Sequence, residues 1–170
     1  VEFIQNKLSE NLPLSGKKAM MTAGPTYEAI DPVRFIGNHS SGKMGISIAE
    51  ELAKNGAEVT LICGPSNIKH SHPNINRIDV VSAADMLVAS QEHFSYSDIA
   101  ILSAAVADYS PKNVSDSKMK KTENSLHLDL QPTVDILKTL GQHKKQNQIL
   151  VGFALETDNE EENARKKLAK

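Results

Sequence analysis

Residues 37–44 read GNHSSGKM, which follows the phosphate-cradling pattern G-x-x-x-x-G-K-[ST] until its last position, where Met44 replaces a metal-binding hydroxyl. A P-loop also needs its strand to run straight into the first glycine, and here the apolar run ends near Thr22, well before Gly37. Both departures count against a P-loop. The local physics still favours an anion, because Ser40, Ser41 and Gly42 open a helical pattern whose free N–H groups and dipole attract phosphate or carboxylate. The plainer alternative is that Ser40 or Ser41 only caps that helix. Capping leaves Arg34, Asn38 and His39, gathered just upstream, without a reason. Arg34 can form a bidentate pair with a carboxylate or phosphate, or an ordinary structural salt bridge. Asn38 can donate to a carbonyl oxygen while accepting from an amine, which suits acyl transfer, or it can close an Asx turn.

A second cluster is SAAVADY, residues 103–109, where small side chains at a strand end let a ligand approach the backbone. Asp108 could bind a metal or a ribose hydroxyl, or serve as a turn aspartate. In SDSKMKK, Lys118, Lys120 and Lys121 are either solvated cations or the lysines of a lid that closes on a polyphosphate. Asp135 suits the dipole of its own helix without any function, as do Lys166, Lys167 and Lys170 at the end of theirs. Cys63 has no histidine beside it in sequence and reads as a buried apolar filler. The histidines show no H-x-x-x-H spacing, so zinc is not supported.

The elements that must position these groups alternate. KKAMMTAG predicts a buried first strand, and residues 25–41 a long polar loop. KMGISIAEELAKNG predicts a helix with Met44, Ile48, Leu52 and Ala53 on its buried face and a stop at Asn55-Gly56. AEVTLICG and INRIDVVS predict strands, and Ser82 caps a helix over AADMLVASQEHF. DIAILSAAVADY predicts a strand running into a loop, PKNVSDSKMKKTENS a mobile flap, and LHLDL a half-buried strand. VDILKTLGQHKK, QILVGFA and NEEENARKKLAK predict helix, strand and helix. This order implies a Rossmann-like α/β fold, a mostly parallel sheet with helices on both faces. In such a sheet ligands bind beyond the carboxyl ends of the strands, and every unusual polar cluster falls there.

Composition narrows the function classes. With 39% hydrophobic and 24% charged residues in 170, the chain suits one globular domain. A net charge of −2 argues against a general nucleic-acid binder. No apolar run approaches the roughly 20 residues of a membrane span. A lone cysteine and an N-terminus without signal-peptide character point to a cytoplasmic setting. VEFIQNKLSENLPLSG reads as a short helix and linker, so residues 1–15 are expected to derive from an upstream domain and 16–170 to form the functional one.

Taken together, TAGPTYEAIDPVRFIGNHSSGKMG, SAAVADYSPKNVSDSKMKK, VDIL and GFALET resemble phosphopantothenoylcysteine synthetase of the bacterial, CTP-dependent type. The resemblance runs from about Leu14 to the end of the chain. It implies a ligase that joins 4′-phosphopantothenate to cysteine through an acyl-cytidylate, with CTP as co-substrate, Mg²⁺ as cofactor and no flavin in this part. It also implies a homodimer, with the site at the subunit boundary, and linkage to a flavin-dependent phosphopantothenoylcysteine decarboxylase.

Carried over by motif, the resemblance assigns Asn38 to the acyl-cytidylate carbonyl and Lys118 to the triphosphate, as the catalytic pair. Arg34, Ser40, Ser41, Gly42 and Ala105 join Asn38 on the substrate. Ser103, Ala104, Asp108, Val134, Asp135, Ile136, Leu137, Phe153 and Lys167 are assigned to the nucleotide, with Asp108 also serving its metal. In the family VDIL often reads P-D-I-V/L, whereas here the proline is Pro132, upstream. Another nucleotide-contacting lysine would fall beyond Lys170, so the chain is expected to be shortened at its C-terminus.

Two other function classes compete. HSSGKMG superficially resembles the glycine turn of a nicotinamide-dependent short-chain reductase, but no acidic residue clearly follows the second strand and Y-S-P-K misses the Y-x-x-x-K spacing. A non-catalytic nucleotide-binding module is the third reading.

Overall fold

The first apolar run, KAMMTA, forms β1 (Lys18–Ala23), and its two faces are buried alike, which requires a covering layer on each side of the sheet. The computed structural model describes residues 12–121 and 126–153, together with Glu162 and Arg165. After β1 come β2 (Tyr27–Ala29), β3 (Phe35–Gly37), α1 (Lys43–Lys54), β4 (Glu58–Cys63) and β5 (Ile75–Asp79). Then follow α2 (Ala83–Phe94), β6 (Ile99–Leu102), β7 (Tyr109–Pro111), β8 (Leu130–Pro132), α3 (Ile136–Gln142) and β9 (Ile149–Gly152).

Five strands form the main sheet in the order β5-β4-β1-β6-β9, every neighbouring pair parallel. The chain leaves β1 toward β4 and β5, then returns to the other side of β1 as β6. That reversal opens a crevice beyond Ala23 and Leu102, where neighbouring connections part to opposite faces. On one face Ala19, Met21 and Ala23 pack with Val59, Leu61, Cys63 and the α1 residues Ile46, Ala49 and Ala53. On the other, Met20, Ile62 and Ala100 pack with Met86, Ala89 and Phe94 of α2 and with Ile136 and Leu140 of α3. Met20 and Met21 are fully buried, each contributing about 1.5–3 kcal/mol of apolar burial. The expected Rossmann-like sheet, with helices on both faces, is the one observed.

Helix boundaries follow local chemistry. Ser82 and Asp85 form a reciprocal capping box at α2, and Asp135 accepts from the Lys138 amide to cap α3. Asn55 ends α1 and Gly56 follows at φ 99°.

Four expectations need correction. The polar stretch 25–41 is not all loop: β2 and β3 pair as an antiparallel hairpin, with Tyr27 stacked on Phe35 at 3.8 Å. Three-residue strands are too short to show an alternating pattern. Met44 is half exposed, because the face of α1 that meets the sheet is built from Gly45, Ile46, Ala49 and Ala53. Small residues lie where helix and sheet come closest, so counting large apolar side chains rotated the predicted face. LHLDL is not a strand; β8 begins at its last residue, Leu130, where the partner segment Tyr109–Pro111 becomes available. The third main-sheet strand stops at Asp79, short of the expected INRIDVVS. The N-terminal helix expected over residues 1–11 lies outside the described residues, as does most of the final one.

Candidate active site

The turn after β1, TAGPT, binds the loop after β6 by continuing the sheet ladder. Ser103 N donates to the Thr22 carbonyl, Ala105 N to Gly24, and Thr26 N to Ala105. Two threonine hydroxyls complete the lacing: Thr22 Oγ1 accepts from Ala104 N at 3.3 Å, and Thr26 Oγ1 from Ala107 N at 2.9 Å. The N–H groups of Ser103, Ala104 and Ala105 are therefore committed within the protein. These residues can offer a ligand carbonyl oxygens and small side chains rather than N–H donors.

Helix α1 enters the same crevice. Gly42 is its N-cap at φ 77°, and a Cβ there would lie 3.1 Å from Gly24 N. Gly45 has no room for a side chain, since a Cβ would meet Ser103 Oγ at 2.5 Å and Ala23 Cβ at 2.7 Å. The first turn of α1 thus sits against the ends of β1 and β6. No side chain caps it. Ser40 Oγ accepts from Gly42 N at 3.2 Å and Ser41 Oγ from Lys43 N at 3.3 Å, both two residues on. The serines shape the approach to the helix, and the next amides remain uncapped, an arrangement suited to an anion. Ser66 Oγ secures this loop from the β4 side by donating to the Ser41 carbonyl at 2.6 Å.

Asn38 joins the two clusters picked out by sequence. Its Nδ2 donates to the Val106 carbonyl at 2.9 Å, which turns the carboxamide toward the Ala104–Ala107 loop. Thr133 ties in the third segment, with its N bonded to the Asp108 carbonyl at 2.9 Å and its Oγ1 to the Ala107 carbonyl at 2.7 Å. Val134 and Leu137 follow on the exposed side. Phe153 is held by its N bonded to the Leu102 carbonyl and is 53% exposed, just after Gly152, where an added Cβ would meet the Leu137 side chain. Ile136 is 5% exposed and packs in the core, so only its backbone can face a ligand. Asp135 is the cap of α3. Lys167 lies outside the described residues.

Arg34 is directed inward to protein groups. Its Nε and Nη2 bond to Asp31 Oδ2, and Nη2 also donates to the Met119 carbonyl at 2.9 Å. The Arg34 guanidinium beside Asp31 holds its carboxyl well below the usual carboxylate range. Burial pushes the Cys63 thiol up, which fits the expected inert filler. The carboxylate of Asp108 and the ammonium of Lys118 are exposed and make no hydrogen bond or ion pair among the described residues. Thr22, Thr26, Thr133 and Asp31 were not singled out by sequence; the threonines on either side of the Gly24-Pro25 turn were the available signal.

Among the described residues, no three histidine, cysteine or acidic side chains gather to hold a metal. Asp108 suits Mg²⁺ in another way. A single exposed carboxylate can hold a hard cation that takes its remaining oxygens from phosphate and water. No helix among the described residues is long and apolar enough to cross a membrane.

Residues 14–170 match the family model for the DNA/pantothenate metabolism flavoprotein C-terminal domain. The chain belongs to this family. The coenzyme A biosynthesis bifunctional protein CoaBC of Bacillus subtilis is 54% identical over 92% of this chain and 38% of its own length. A protein described as cysteine/cysteine sulfinic acid decarboxylase, from an unknown prokaryotic organism, is 52% identical over 99% of this chain and 47% of its own. The chain thus spans less than half the length of these relatives. The crystal structure of the C-terminal domain of a CoaBC protein superposes with a TM-score of 0.79 at 49% identity, covering 92% of this chain and 73% of that one. The fold is therefore shared along nearly the whole length of this chain.

Proposed function

We propose that this chain is the synthetase part of a coenzyme A biosynthesis protein, a ligase that joins 4′-phosphopantothenate to cysteine with CTP. The observation that carries the reading is the Asn38–Val106 hydrogen bond, which brings the helix-opening loop and the AAVADY loop to one crevice. In the first step a carboxylate oxygen attacks the α-phosphorus of CTP and pyrophosphate leaves. In the second, the amine of cysteine attacks the acyl carbon, the carbon–oxygen bond to CMP breaks, CMP leaves with the electron pair, and the amine proton passes to solvent.

Each step needs what this crevice supplies. Two anions must meet, and Lys118 brings an uncommitted cation to the triphosphate. The uncapped first turn of α1 offers N–H groups and dipole to an anionic substrate. Asn38, steadied by Val106, retains Oδ1 and a second N–H for the acyl group and the incoming amine. Asp108 would hold Mg²⁺, which when bound neutralises phosphate charge. Val134, Leu137 and Phe153 form an exposed apolar border suited to a base.

The same reading makes the chain a homodimer, supported by exposed Phe35, Tyr109 and Leu130 on the two small hairpins. It places the chain beside a decarboxylase in a longer protein, consistent with the coverage of the two relatives.

Incubation with CTP, Mg²⁺, 4′-phosphopantothenate and cysteine, followed by pyrophosphate and CMP, tests this. Pyrophosphate before cysteine, and CMP only with it, is the expected result. No pyrophosphate with any nucleotide removes the ligase reading. Release of CO₂ from cysteine would favour the activity named for the second relative.

A further inference from the structure

The turn Ile30–Arg34, between β2 and β3, holds the lysine-rich segment at two points. Ser115 N donates to the Ile30 carbonyl at 3.0 Å. At the other point Met119 is gripped by both its backbone groups: its N donates to Asp31 Oδ2 at 3.1 Å, and its carbonyl accepts from Arg34 Nη2 at 2.9 Å. Asp31 is the centre of this latch. Its Oδ1 accepts from the amides of Val33 and Arg34, both at 2.8 Å, and its Oδ2 from Arg34 and Met119. The side chain of Asp31 is wholly buried while that of Arg34 is 41% exposed.

We propose that Asp31 is a positioning residue for Lys118: through the Met119 backbone it fixes the stretch that carries this lysine toward the crevice. The proposal rests on the reading of Lys118 as the cation for the triphosphate. Lys118 lies between the two anchors, Ser115 and Met119, whereas Lys120 and Lys121 lie beyond the second. The latch therefore distinguishes one lysine of K-M-K-K from the others by geometry. Because it grips main chain, the Met119 side chain is free to pack, and it lines a cavity of ≈ 270 Å³ with Ile30, Val114 and Leu128. A carboxylate is the group the site requires, since every contact it makes is with a donor. An amide in its place would set an N–H₂ against one of those donors. The ionised form persists across the working pH range because Arg34 and the amides favour it.

The test is Asp31→Asn in the full chain, read by ¹³C-methyl methionine NMR and by pyrophosphate release. Of the five methionines, Met119 should shift and broaden while the buried Met20, Met21 and Met86 stay in place. The KM for CTP should rise about tenfold or more, and adding Lys118→Gln should cost far less than it does in the wild type. If the core methyls also move, Arg34→Ala serves instead: it removes the donor to the Met119 carbonyl while Asp31 keeps the amides of residues 33, 34 and 119, and it should move Met119 alone. An unmoved Met119 overturns the latch. A shifted Met119 with an unchanged KM, or full additivity with Lys118→Gln, overturns its role in positioning. A wild-type chain that releases no pyrophosphate overturns the ligase reading and with it the purpose given to Lys118, while the methyl spectrum still decides whether Asp31 anchors the segment.

Discussion

Asn38 Nδ2 and the Val106 carbonyl oxygen lie 2.9 Å apart across 68 residues of chain, a single hydrogen bond between the two loops that border the crevice. Asn38→Asp removes the donor and sets a carboxylate oxygen against the carbonyl. The cysteine-dependent release of CMP should slow by about 10²-fold, the usual cost of one lost donor at a reacting carbonyl, and pyrophosphate release should slow much less. Separate measurement of the two products checks this, and an equal loss in both counts against the acyl-group role.

Lys118→Gln keeps the length of the side chain approximately and removes its charge. Pyrophosphate release should fall by at least about tenfold, because the lost contact is charge-assisted and is needed as charge shifts onto the leaving group. The rate should not recover at saturating cysteine. Undiminished pyrophosphate release would contradict the assignment.

Gly64 lies where the ends of β1 and β4 touch, and a Cβ built on it would fall 1.7 Å from the Pro25 carbonyl oxygen. Backbone cannot yield there as a flexible side chain could. Gly64→Ala should destabilise the fold by about 2 kcal/mol or more, as overpacking does, and urea denaturation measures it. A change below about 0.5 kcal/mol would mean that the two turns are not in contact in solution.

Acid should weaken the fold through its hydrogen-bonded carboxylates. Asp31, Asp85 and Glu50 are all held below their ordinary range: Asp31 chiefly by the Arg34 guanidinium, Asp85 by the Ser82 amide and hydroxyl, and Glu50 by the Ser71 amide. A depressed folded-state pKa stabilises the fold above the unfolded carboxylate value and stops doing so as pH falls through the folded one. Stability should therefore be level near neutrality and decline below about pH 4–5. Asp85→Asn should be less stable than the parent at pH 7 and converge with it in strong acid. A constant difference at all pH values would deny the capping carboxylate its share.

The amino-acid order was sufficient for everything set by neighbours along the chain. Apolar runs ended by glycine or proline marked the main strands, Ser82 and Asn55-Gly56 marked helix ends, and the alternation of elements determined a parallel sheet with a ligand-binding edge. Of the residues the motifs single out, Asn38, Ser103–Ala105 and Asp108 lie on the loops that border the crevice, while Lys118 lies on the segment held by Ile30 and Asp31.

Only the tertiary structure decided which residues face each other. Met44 looked buried and is half exposed, because distance to the sheet, not side-chain size, determines the inner face of α1. The hairpins β2–β3 and β7–β8 are too short to show a period and exist because their partners are brought alongside. Thr26 and Asp31 carry no distinguishing signal in the sequence, and Arg34 reads as a partner for carboxylate or phosphate or as an ordinary structural salt bridge. Thr26 meets Ala107 across 81 residues, and Asp31 and Arg34 meet Met119 across 88 and 85. Local propensity extends over a few residues, whereas a buried hydroxyl or carboxylate must find its donors wherever the fold puts them. That is why the sequence offers candidates for this site but not the groups that hold its loops in place.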